Sequence, residues 1–170
     1  MSKVGLPEPW LRGTMTDVAA VPRAVLHALE LAREDLERWC EGMSDEELNA
    51  RPAGLAPLAF HLRHIARSLD RLLTYAEGRQ LGEQQIIAMK TELEPGATRS
   101  ELFAELDSAL TSSAAKIRAI PPGSFEQPRA VGKKHLPATV GGLMVHAADH
   151  TQRHVGQAVT TSKVVVAQRA

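Results

Sequence analysis

The chain is predicted to fold as an all-α four-helix bundle with a long crossover between its second and third long helices. Three observations predict it. Apolar residues recur at spacings of three and four in four long stretches. Caps and breakers bound those stretches. Patterns of period two, the mark of a half-buried strand, are nearly absent. Amphipathic helices of this kind bury their stripes against one another, which is what builds a bundle.

Residues 1–17 contain Pro7, Pro9 and Gly13 and read as an irregular arm that Trp10 and Leu11 are expected to pin to the bundle. The first long helix is expected over residues 17–41, with Val21, Val25, Leu29, Ala32, Leu36 and Trp39 as its stripe. Pro22 stands early, where a missing N–H costs least, and Gly42 ends the helix. Ser44 and Glu47 have the spacing of a capping box, in which each side chain satisfies the other residue's free backbone donor. It starts a short helix that stops before Pro52. The second long helix is expected over residues 57–78, with Leu58, Leu62, Ile65, Leu69, Leu72 and Ala76 inward. Residues 79–97 then connect, with a short helix over 84–90. This stretch is long for a hairpin between antiparallel helices, so it is expected to carry the chain across the bundle. A second capping box, Thr98 to Glu101, opens the third long helix, which runs to Ile120 with Leu102, Leu106, Leu110, Ala114 and Ile117 inward. Pro121, Pro122 and Gly123 stop it, and the polar stretch to Pro137 reads as loop. Thr139 is the N-cap of the fourth long helix, expected to reach Lys163. Residues 18–163 thus make one domain, and 164–170 a short tail.

A length of 170 residues favours a single domain with a real core, and 44% apolar residues argue against disorder. Twenty basic residues balance 20 acidic ones. With no basic block, a nucleic-acid partner is not expected. No apolar run suits a bilayer and no signal-peptide pattern opens the chain, so a cytoplasmic protein without a membrane partner is expected. The single cysteine, Cys40, has no internal disulfide partner and reads as a partly buried thiol at a helix end.

Histidine is the outlier. Of seven, five fall in two clusters: His61 and His64 on the second long helix, and His146, His150 and His154 on the fourth. His150 and His154 stand four apart, about 40° around a helix, and border the stripe of Val140, Leu143 and Ala147. Buried imidazoles need partners, and a divalent ion satisfies two lone pairs at once. His146 lies further round, with an outer or surface role. A histidine of the second helix would complete a three-histidine site. Wheel angles place His61 nearer the apolar centre than His64, at roughly 60° against 120°. Three neutral nitrogens leave coordination positions open, as catalytic sites do. The outline of a zinc-protease motif fails, because Thr151 stands where the general-base glutamate belongs. His27 and His135 are isolated and read as surface or capping residues.

The run His150-Thr151-Gln152-Arg153-His154-Val155-Gly156-Gln157 resembles the last-helix signature of the DinB/YfiT superfamily of bacterial four-helix bundles. The run His61-Leu62-Arg63-His64-Ile65-Ala66-Arg67-Ser68 is similar to that family's second-helix segment. The resemblance spans residues 18–163. It implies His64, directly before Ile65 and Ala66, as the third ligand beside His150 and His154, where wheel geometry favours His61. It also implies a crossover bundle, a site near one end holding nickel or zinc, and a homodimer. Some relatives are thiol-dependent transferases or isomerases. The expected function is therefore a metal-dependent enzyme acting on a small molecule, by S-transfer with a low-molecular-weight thiol or by hydrolysis. The alternative is a non-catalytic metal-binding or stress-response module. Asp149 and Gln157 would orient the ligands or lie solvated. Arg63, Arg67 and Arg153 are expected on a solvated face, or else against an anionic substrate.

Overall fold

The computed structural model describes residues 6–169. The first five residues of the expected arm, and Ala170 of the expected tail, lie outside the described residues. Among the described residues six α-helices occur in chain order: α1 (Ala20–Trp39), α2 (Asp45–Asn49), α3 (Leu58–Ala76), α4 (Glu83–Lys90), α5 (Arg99–Ala119) and α6 (Val140–Ala167). Both expected capping boxes form, at Ser44–Glu47 and at Thr98–Glu101, and the Thr139 hydroxyl accepts from Gly142 N at the start of α6. Gly78 lets the chain leave α3 with a φ of 80°, which an L side chain would resist.

The four long helices α1, α3, α5 and α6 bury most of the predicted stripes; Val21, expected inward, is exposed in the first turn of α1, before the helix meets its neighbours. Leu36, Leu62, Ile65, Leu69, Leu106 and Ile117 are essentially fully enclosed. Cross-helix bonds give the directions. Gln152 donates to Ala28 O and Ser162 to Trp39 O, so α1 and α6 run parallel. Arg67 meets Glu105 while Lys116 meets Asp70 and Glu77, so α3 and α5 also run parallel. Arg33 pairs with Asp107 while Arg99 reaches back to Cys40 O, so α5 opposes α1. Rings of α3 meet those of α6 in reversed order, so these two are antiparallel. The result is an up-down-down-up bundle. The α3–α5 connection is long because parallel neighbours leave the chain to return the bundle's full length. It runs along the bundle rather than across it, since α3 and α5 pack side by side.

Several local expectations are corrected. Trp10 and Leu11 do not pin the arm, being 62% and 57% exposed. Buried Pro9 holds it instead, with Arg12 paired to Glu30 and Glu34. His27 is buried rather than superficial, its Nε2 lying 3.2 Å from Thr14 Oγ1. The polar stretch before α6 is no simple loop: β1 (Pro128–Val131) and β2 (Leu136–Thr139) pair antiparallel, Pro128 opposite Thr139 and Val131 opposite Leu136. His135 lies exposed in the turn between them. The tail is not separate, because α6 continues to Ala167 and buries Val165. Cys40 is wholly buried, which pushes its thiol up to about 11 and makes it inert at neutral pH. Among the described residues no helix is long and apolar enough to cross a membrane.

The bundle rests on its stripes, so truncating a wholly enclosed stripe residue has a defined cost. Leu36→Ala should destabilise by about 2–5 kcal/mol through lost transfer energy and a residual cavity. Urea unfolding checks this, and a shift below about 1 kcal/mol would show that Leu36 is not core.

Candidate metal centre

The first turns of α3 and the middle of α6 face each other across the antiparallel seam. Residues 61 and 64 on one helix, and 150 and 154 on the other, are i,i+3 and i,i+4 pairs, so each pair projects from one face. The seam brings all four rings together. The ring centroids of His64 lie 4.3 Å from His154 and 4.9 Å from His150, and those of His150 and His154 are 4.7 Å apart. One ring nitrogen from each of His64, His150 and His154 falls within 4.8 Å of the others, a group that could hold a metal ion. The site lies near one end of α3 but at mid-length of α6.

His61 is not in that group. It is the more buried ring of the α3 pair, as wheel geometry indicates, but its Nδ1 lies 3.2 Å from Nδ1 of His154. It therefore stands behind His154 and leaves that residue's Nε2 to face the cluster. His146 is exposed and only flanks His150, at 5.5 Å between ring centroids. Phe60 stacks on His64 at 5.1 Å and 24° and covers His61 edge-on.

The donors suit a divalent ion. His64 Nε2 and His150 Nε2 are 3.2 Å apart, and two nitrogens on a tetrahedral zinc at its usual bond lengths are about 3.3 Å apart. Burial first, then the neighbouring His154 and His64, pushes His61 down to about 4. Burial followed by adjacent histidines and Arg153 does the same to His150, also to about 4. His154 falls to about 4 through burial, His64 and Arg153. These rings are neutral at pH 7 and so carry lone pairs. Nδ1 of His150 is buried with no hydrogen-bond partner among the described residues.

Two residues that sequence reasoning missed complete the surroundings. Glu92, in the turn after α4, places Oε2 2.6 Å from His64 Nδ1 and receives Arg71 on Oε1, also at 2.6 Å. Burial acts to raise its carboxyl, but the bonds from His64 and Arg71 outweigh that and hold it below the ordinary carboxylate range. The arginines expected on a solvated face are engaged as well. Arg63 donates to Glu94 O, and Arg67 to Ala88 O, Thr91 Oγ1 and Glu105. Arg63, Arg67 and Arg71 repeat every four residues along α3 and clamp the crossover beside the histidines. That spacing was the available signal; its carboxylate partner, 21 residues away, had none. Asp149 does not orient a ligand but pairs with Arg153 on the surface. Gln157 is exposed and, with Arg153 and His61, lines a recess of about 350 Å³ next to the cluster.

The model of the DinB superfamily matches residues 28–158. The chain belongs to the DinB superfamily. A crystal structure of a conserved protein from Enterococcus faecalis shares this DinB-like fold, with a TM-score of 0.72 and 21% identity. The match covers 89% of this chain and 100% of that one. No curated protein matches. The expected all-α DinB-like bundle is thus found, and its three neighbouring histidines fit a metal-binding site.

The neutral rings tie the stability of the metal-free protein to pH. Their folded pKa values lie below the ordinary value near 6.5, so between about 6.5 and about 4 the unfolded chain binds more protons. Stability should be full above that window and fall as pH drops through it. Urea unfolding at a series of pH values measures the slope. It should shrink in His61→Leu; an identical slope in the two proteins would contradict a neutral, buried His61.

Proposed function

We propose that His64, His150 and His154 hold one divalent ion, nickel or zinc, and that the protein is a metal-dependent enzyme acting on a small molecule. The observation that carries this is the convergence of three imidazole nitrogens, two of them already at the spacing of ligands on one ion. When bound, such an ion supplies Lewis-acid activation of a water or a thiol. The chain's own residues do the rest. The low pKa values of His150 and His154 keep their lone pairs available at neutral pH. His61 is buried against His154, and half-buried Phe60 packs on the rings of His61 and His64. The side-chain exposure of His64 is 17%, which leaves room for approach from outside.

A catalytic reading is favoured over a structural one because the neighbours best placed to be a fourth ligand are otherwise disposed. His61 is committed to His154, His146 is exposed, and both Glu92 oxygens are bonded. A closed structural site would need such a ligand. The reaction is S-transfer with a low-molecular-weight thiol, or hydrolysis. The recess bounded by Arg153 and Gln157 suits a polar or anionic substrate. The choice of reaction and a homodimeric assembly rest on the family resemblance.

Metal analysis of protein purified without an affinity tag tests this. About one equivalent of nickel or zinc per chain is expected, falling below a tenth of that in His150→Ala. Trace metal in the parent protein, unchanged in the variant, would sink the proposal. With metal present, turnover of electrophiles in the presence of low-molecular-weight thiols separates S-transfer from hydrolysis.

A further inference from the structure

The least expected charge in the molecule is Glu92. It belongs to a connecting turn, where acidic side chains are ordinarily solvated, yet it is 6% exposed. A buried carboxylate is costly unless both oxygens are bonded, and here both are. Oε1 receives Arg71, whose side chain is 12% exposed, and Oε2 lies 2.6 Å from His64 Nδ1. A carboxylate can only accept, so the His64 bond requires a proton on Nδ1. In the neutral ring that leaves the lone pair on Nε2, the nitrogen 3.2 Å from His150.

We infer that Glu92, aimed by Arg71, is the positioning residue of the site: it selects the Nδ1–H tautomer of His64 and so turns that ring's lone pair toward His150 and His154. The inference rests on the metal reading of those three histidines. An imidazole in water prefers its proton on Nε2, which would point an N–H instead of a lone pair into the cluster. The ion-paired carboxylate reverses that preference, since charge-assisted bonds are about twice as strong as neutral ones. It also fixes the ring plane, as carboxylate partners of metal-bound histidines do. The other members lack such support. His154 has only neutral His61 behind it, and His150 Nδ1 has no partner among the described residues. His64 is therefore the anchored ring. Its anchor comes from the crossover, which Arg63, Arg67 and Arg71 hold against α3.

Two readouts on the full chain test this. Imidazole nitrogen NMR of the metal-free protein at pH 7.5 should show His64 protonated on Nδ1. Glu92→Gln, which keeps an acceptor oxygen, should retain that state, whereas Glu92→Leu should lose it. Zinc affinity, measured by competition with a chelator at a temperature where all three proteins are folded, should weaken about 10–100-fold in Glu92→Leu and less in Glu92→Gln. A purely structural Glu92 would lower the melting temperature and leave the tautomer alone. An Nδ1–H that persists in Glu92→Leu overturns the assignment, whatever zinc does. A lost Nδ1–H with unchanged zinc affinity overturns the link to the metal. If the parent protein binds no zinc, the metal reading fails by itself, and the tautomer measurement still decides the role of Glu92.

Discussion

Four imidazole rings packed along one antiparallel helix seam cannot all be protonated, because each positive charge would sit within a few ångströms of the next in a partly desolvated space. The rings of His61, His150 and His154 respond by staying neutral. Neutral rings have lone pairs, and lone pairs facing each other need a proton or a cation between them. Much of the molecule follows from keeping this seam closed. The stripes of α3 and α6 bury Leu62, Ile65, Leu69, Met144 and Ala147 around the rings, so the histidines are held by hydrophobic packing they do not themselves supply.

The up-down-down-up order has a second consequence. With α3 and α5 parallel, the chain must travel back along the bundle between them, and that return path brings Glu92 against His64. The α4 helix within it buries none of its own residues. It is held by polar tethers instead: Gln85 on Asp70 and Thr74, and the arginine series of α3 on the crossover's carbonyls and carboxylate. A segment fastened this way opens at lower free energy than a packed helix. The carboxylate beside His64 thus sits on one of the more easily released parts of the fold.

Much of this was legible in the sequence, for identifiable reasons. Burial of one helix face leaves a period that a single sequence displays, so the stripes and helix limits of α1, α3 and α5 were readable. The caps at Ser44, Thr98 and Thr139 are local chemistry and were equally plain. The His150/His154 pair is local too. The third ring was not, because wheel angles report depth of burial, and His61 is indeed deeper than His64. Which ring joins the cluster depends on where α6 lies, which no wheel contains. Family resemblance pointed to His64, the ring found in the cluster. Glu92 and Arg71 were invisible because their meeting depends on the crossover's path. The β1–β2 hairpin escaped for a different reason: each strand has four residues and contains a proline, too short for a period to register.

One ion should sit among three specific nitrogens at this seam. A crystal structure of the protein grown with nickel, recorded at the nickel absorption edge, tests it most directly. A single strong anomalous peak per chain is expected, about 2.0–2.2 Å from Nε2 of His64, His150 and His154, with Glu92 still on His64 Nδ1. A peak on the exposed His146 alone, or none at the seam, would contradict it.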